Sequence, residues 1–164
     1  MNGADVRVVA AREPDVPLIL EMIRGLAEYE RLAHEVEATE ERLRRTLFGP
    51  NPAAEVLLAY AGDACAGFAV YFSTYSTFLA KAGMYLEDLY VRPEFRGRGI
   101  GFALLRRLAV LCAERGYGRL EWSVLNWNEP SIQFYKRLGA VPLDEWTRYR
   151  LTGDALKALG EEKE

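Results

Sequence analysis

The chain has 164 residues, half of them hydrophobic, which suits one ordinary domain built around a single core. Its 21 basic and 24 acidic side chains leave a formal net charge of -3, so no overall field gathers nucleic acid or an anionic membrane, and the expected partner is a small molecule. Cys65 and Cys112 are the only cysteines, in segments that read as buried, which argues against a disulfide framework or a zinc site and fits a reducing cytosol. Charges at Asp5, Arg7, Arg12 and Glu13 replace a signal peptide, and no apolar stretch approaches membrane length, so a cytoplasmic single domain over 1–164 without metal is expected.

Val6 to Ala10 reads as a strand. Pro14-Asp15 then opens a helix with Leu18, Met22, Leu26 and Tyr29 on one face. Thr39 is placed to cap a second helix through Leu43 and Leu47, which Gly49-Pro50 stops. Val56 to Tyr60 and Ala64 to Phe72 form a hairpin about Gly62-Asp63, and Met84 to Val91 reads as a central strand, apolar except for Glu87 and Asp88. Ile100, Leu104, Leu108 and Leu111 mark a helix that Gly116 ends, and Arg119 to Leu125 is again β-like. A short helix starts at Asn128, a potential cap, with Pro130 tolerated in its first turn and Gly139 closing it. Val141 to Leu143 and Trp146 to Leu151 read as a last pair of strands, and residues 160–164 as a frayed tail. The order βααβββαβαββ predicts an α/β fold, a central mixed sheet with helices on its faces.

Between the strand ending at Val91 and the helix beginning near Ile100 lies Arg96-Gly97-Arg98-Gly99-Ile100-Gly101. Glycines there remove side-chain bulk and leave several N–H groups facing one point. The helix dipole and two arginines add positive charge, so a pyrophosphate is the natural guest. A P-loop would end in Gly-Lys-Ser/Thr, which is missing. A dinucleotide fingerprint needs glycine at Phe102 rather than Gly101, although Glu121 stands where its acid would fall. A glycine turn without a ligand is the bland alternative, and the flanking arginines argue against it.

The run Leu89-Tyr90-Val91-Arg92-Pro93-Glu94-Phe95-Arg96-Gly97-Arg98-Gly99-Ile100-Gly101 resembles the acetyl-CoA signature of the GNAT N-acetyltransferases, Arg/Gln-x-x-Gly-x-Gly/Ala. The segment Trp127 to Ala140 is similar to that family's later cofactor helix. Together with Tyr85-Leu86-Glu87-Asp88 these blocks most resemble the diamine (spermidine/spermine) and thialysine acetyltransferases. The resemblance implies a mostly antiparallel sheet splayed at the cofactor site. Acetyl-CoA would hold its pyrophosphate on the backbone of Gly97 to Phe102 and lay its pantetheine along Leu89, Tyr90 and Val91, with Asn128, Glu129, Pro130 and Ser131 as the other wall. It further implies Tyr135 as general acid, Tyr29 and Glu30 as an amine-contacting segment, and a homodimer.

Chemistry supplies the rest. A lysine-like amine with pKa about 10.4 is deprotonated about once in 2,500 molecules at pH 7, so attack on a thioester needs a base and an anionic setting. Glu87 is the candidate base, directly or through water, and Asp88 joins Glu30 and Glu87 as an amine-binding acid. Two carboxylates in an apolar strand are costly unless paired or used, and strict alternation would let only one face the cleft. A salt bridge is the competing role for Glu87, and a core position for Tyr135. Cys112 lies far from any histidine, and the only one, His34, reads as a loop residue, so direct attack is expected rather than an acyl-cysteine. Tyr75-Ser76-Thr77-Phe78 stands where the spermidine/spermine enzymes carry an acid, which favours a short diamine or lysine-like amine over a long polyamine. The other readings are a non-catalytic acetyl-CoA-binding module and an acetyltransferase acting on a protein amine.

Overall fold

A computed structural model describes residues 6–161. The chain divides after Leu125 into two compact units. In the first, strands β1 (Val6–Ala10), β2 (Glu55–Ala61), β3 (Ala64–Ser76), β4 (Lys81–Val91) and β5 (Leu120–Trp122) form a sheet in the order β1-β2-β3-β4-β5. β1 to β4 pair antiparallel and β5 joins β4 in parallel, as a crossover through α3 (Ile100–Glu114) requires. The mixed, mostly antiparallel sheet is the expected one.

Local signals explain most elements. The Thr39 hydroxyl accepts from the Arg42 N–H at 3.2 Å and starts α2 (Glu40–Leu47). Gly62 takes φ +61° in the tight β2–β3 turn, where the left-handed region favours glycine. α1 (Val16–Tyr29) and α2 cover one sheet face, where Ile19, Met22, Leu26 and Leu43 pack with Val56, Leu58, Phe68, Val70 and Tyr90. α3 covers the other. Its Ile100, Leu104, Leu108 and Leu111 are buried as the spacing predicted, Cys112 Sγ lies 3.8 Å from Met84 Sδ, and Arg115 grips Glu55 through two hydrogen bonds of 2.7 and 2.9 Å.

The second unit holds α4 (Glu129–Arg137) and α5 (Gly153–Gly160). Here the expectations need correcting. Val141–Leu143 and Trp146–Leu151 are irregular rather than a strand pair. Pro142 removes one ladder donor, and alternation alone does not make a strand. The expected frayed tail begins instead with the last residue of α5, and 162–164 lie outside the described residues. β5 is also shorter than Arg119 to Leu125 suggested.

Candidate active site

β4 builds the site, and a bulge in it decides which way its acids face. Tyr71 lies opposite Leu86 and Val70 opposite Asp88, so Glu87 is an extra residue with no partner across the ladder. Before the bulge, Met84 and Leu86 serve the α3 face. After it, Tyr90 serves the α1 face beside Phe68, its cross-strand partner. An unbroken strand would hold Leu86, Asp88 and Tyr90 on one side. The bulge turns Asp88 to the α1 face, the side where Glu30 closes α1. Strict alternation along β4 therefore fails between Leu86 and Asp88.

Their environments differ. Glu87 is exposed, so the cost of burying two carboxylates falls on Asp88 alone. Burial, reinforced by the negative charges of Glu87 and Glu30, pushes the Asp88 carboxyl up to about 7. Burial also raises Glu30 above the ordinary carboxylate range. The three acids thus share one electrostatic neighbourhood.

The same stretch of β4 is an open edge. The β4–β5 pairing runs only from Met84↔Leu120 to Leu86↔Trp122, so among the described residues no strand pairs with Glu87 to Val91 on the β5 side. Beyond β5, Ser123 Oγ and Tyr85 Oη share a 2.7 Å hydrogen bond, which fastens the chain two residues before the acids. Further along, Gly97 and Gly99 take φ +74° and +78°, and a Cβ on either would meet nothing within 4 Å. These glycines are required by backbone conformation, and they leave the approach to the α3 N-terminus bare. Gly99 is the residue before the helix, Gly101 is inside it, and Phe102 is half exposed. A recess of about 300 Å³ starts at Phe102 and runs along α3 past Arg106 and Val110; the acids do not line it.

Arg96 makes contacts within the chain that residue order does not reveal. Its Nε donates to the Val91 carbonyl at 3.0 Å, and the guanidinium lies 4.6 Å over the Tyr29 ring and 5.9 Å from that of Tyr90. Arg98 stacks 5.5 Å from Phe95.

The Acetyltransferase (GNAT) family matches residues 20–140, a span that includes the bulge, the open edge and the glycine turn. The chain belongs to the GNAT acetyltransferase family. It is 40% identical over 167 residues to a thialysine N-epsilon-acetyltransferase of Sus scrofa, covering 95% of this chain and 98% of that one. It is 33% identical to an L-ornithine N5-acetyltransferase of Arabidopsis thaliana, over 93% of this chain and 87% of the relative. Among solved structures, an integron cassette protein from the mobile metagenome of V. cholerae superposes with a TM-score of 0.80 at 27% identity, over 98% of this chain and all of the other. The chain is thus an acetyl-transferring enzyme, and GNAT acetyltransferases use acetyl-CoA as cosubstrate.

In the second unit of this acetyltransferase, Asn128 stands at the N-cap of α4 and is buried. Its carbonyl accepts from Ile132 N–H at 3.1 Å, but its side chain makes no capping bond, contrary to the sequence reading. Glu129 accepts from Gln133 at 2.6 Å, Pro130 sits in the first turn, and Ser131 and Tyr135 are half-buried, Tyr135 with its ring 5.6 Å from Phe134. Both cysteine thiols are raised by burial, which suits buried packing rather than nucleophilic work. His34 is exposed beside Glu35, as a loop residue should be. No group of three metal-ligating side chains occurs among the described residues, and no helix among them is long and apolar enough to cross a membrane.

Sequence reading missed one feature that shapes the site. Glu21, Gly25 and Tyr29 recur every four residues along α1 and meet Arg92, Tyr90 and Arg96 in turn. The i, i+4, i+8 spacing was visible, but a stripe of acid, glycine and tyrosine does not register as a packing face when only apolar residues are counted.

Proposed function

We propose that this acetyltransferase moves the acetyl group of acetyl-CoA onto a primary amine of a short diamine or a lysine-like side chain by direct attack. The observation that carries the reading is the acid group Glu30, Glu87 and Asp88 at the point where β4 loses its β5 partner. A cationic amine gains from three nearby carboxylates, and a carboxylate is suited to take its proton. The thialysine and ornithine specificities belong to the relatives, and they support a short amine of this type here.

Acetyl-CoA would supply the activated acetyl group. The backbone of Gly97 to Phe102 would bind its pyrophosphate, and the open edge at Leu89, Tyr90 and Val91 would take its pantetheine, with Asn128, Glu129, Pro130 and Ser131 assigned to the other wall by family resemblance. The positive φ of Gly97 and Gly99 supports that fit, since any side chain there would crowd the anion's approach as well as strain the turn. A Leu89 or Tyr90 N–H directed at the thioester oxygen would stabilise the charge that develops there during attack. Glu87 receives the ammonium proton directly or through water, and Asp88 helps to hold the amine. Tyr29 and Glu30 contact the amine, and Tyr135 returns a proton to the departing sulfur. A homodimer belongs to the same reading by resemblance, and a cytosolic single-domain chain by length and cysteine usage.

The test is an acetyl-CoA assay across thialysine, lysine, ornithine, putrescine and spermidine. Thialysine, lysine or ornithine should give the highest kcat/KM, or putrescine among the diamines. A strong preference for spermidine would reject the short-amine assignment, and no turnover of any amine would reject the function.

A further inference from the structure

Three contacts fasten one stripe of α1 to the last residues of β4 and the turn beyond. Glu21 pairs with Arg92 at 2.9 Å, Gly25 lies against the Tyr90 phenol, and Tyr29 lies under the Arg96 guanidinium at 4.6 Å. The last link joins two regions with different proposed tasks. Arg96 opens the glycine turn that would hold the cofactor, and Tyr29 with Glu30 ends the helix that would touch the amine. Arg96 is further fixed by its Nε–H to the Val91 carbonyl, at the end of the open edge of β4. The backbone beyond Glu30 is unusual too. Arg31 takes φ +61°, donates to the Glu28 carbonyl at 3.1 Å, and Leu32 donates to that of Ala27 at 2.8 Å, so a non-glycine residue occupies the left-handed position that terminates α1. Arg96 lies over the last turn of the helix closed this way, one residue before Glu30.

We infer that Arg96 is a positioning residue for the amine site: it holds the Tyr29 ring, and with it Glu30, against the β4 acids, rather than spending its side chain on the cofactor phosphates. The inference rests on the amine-acetyltransferase reading and adds a specificity element to it. A planar guanidinium does two things here that an ammonium does not, namely lie flat on a ring and donate from Nε along a fixed direction. Lysine at this position keeps the charge beside the glycine turn and loses both.

The test is steady-state kinetics of Arg96→Lys, Arg96→Gln, Tyr29→Leu and the Arg96→Lys/Tyr29→Leu double variant, with acetyl-CoA and the preferred amine varied separately. Arg96→Lys should raise the KM for the amine about three- to tenfold and leave the KM for acetyl-CoA within about twofold, the range a lost cation–π contact gives. Arg96→Gln should raise the amine KM at least as much. The double variant should be no worse for the amine than Tyr29→Leu alone, because both single changes break one link. A phosphate-binding role predicts the opposite split: Arg96→Lys near wild type and Arg96→Gln raised for acetyl-CoA only. That result, or amine KM effects that multiply in the double variant, overturns the inference while leaving the amine-acetyltransferase reading intact. A wild-type protein that acetylates none of the amines overturns both.

Discussion

Asp88 lies directly opposite Val70 across the β3–β4 ladder, and Val70 packs under α1, so the pairing itself assigns Asp88 to the α1 face. The carboxyl is half-buried there and pushed up from 3.8 to about 7. A carboxyl with a raised folded-state pKa adds stability below its unfolded pKa, and that contribution is lost as pH rises through the folded value. The wild-type protein should therefore lose stability between about pH 4 and 7 on account of this group. Asp88→Asn should remove the loss, gaining on the order of 2 kcal/mol at pH 8 and much less at pH 4. Urea denaturation of both proteins at the two pH values checks it. Equal differences at pH 4 and pH 8 would mean that Asp88 is not the group responsible.

The glycine contact on α1 gives an opposing pair of effects to weigh. A Cβ at Gly25 would stand 2.7 Å from Tyr90 Oη and 2.9 Å from its ring carbons, and Tyr90 is buried, so the ring has little room to withdraw. Gly→Ala inside a helix gains about 1 kcal/mol of propensity, whereas overpacking a fitted core costs about 1–3 kcal/mol. Gly25→Ala should thus destabilise by about 1 kcal/mol. In a Tyr90→Leu background the clash disappears and the same change should stabilise. A thermal-unfolding double-mutant cycle reads the sign reversal, and a gain in both backgrounds would refute the close fit.

Much of this was legible from residue order. Glycines at 62 and 116 punctuate the expected elements with positive φ, Thr39 caps the expected helix, and the α3 face was named residue by residue. The glycine turn and the acids were legible as chemistry. The bulge at Glu87 was not, because one inserted residue leaves composition unchanged and shows only as a switch of the buried face between Leu86 and Asp88. Arg96 carried a signal of a different kind: charge next to a glycine turn suggests an anion, and residue order does not show that its guanidinium also lies 4.6 Å over the ring of Tyr29, distant in sequence. Trp146 to Leu151 misled because alternation describes a strand only where a neighbour supplies the ladder.

Gly99 separates binding from folding. At φ +78° an alanine costs about 1–2 kcal/mol of backbone strain, yet its Cβ would touch nothing within the protein. Gly99→Ala should therefore fold with a modestly lowered Tm and raise the acetyl-CoA Kd about tenfold or more by crowding the N–H groups of the turn. Calorimetric titration with CoA alongside thermal unfolding distinguishes the two effects. CoA affinity unchanged in a folded variant would remove the turn from the cofactor site.

The proposed acid role of Tyr135 predicts a dependence on pH as well as a loss. The thiol of a departing CoA ionises near pH 8.5, so at pH 7 proton return by a positioned phenol aids its departure, and well above pH 8.5 the thiolate is itself the stable product. Tyr135→Phe keeps the ring, which lies 5.6 Å from that of Phe134, and removes only the hydroxyl. We expect kcat to fall about 100-fold at pH 7, within the usual span for a lost general acid, with the acetyl-CoA Kd within about twofold of wild type. The deficit should shrink as pH rises past 8.5. A pH-independent deficit would point to packing around α4 instead, and wild-type turnover at pH 7 would remove Tyr135 from the reaction.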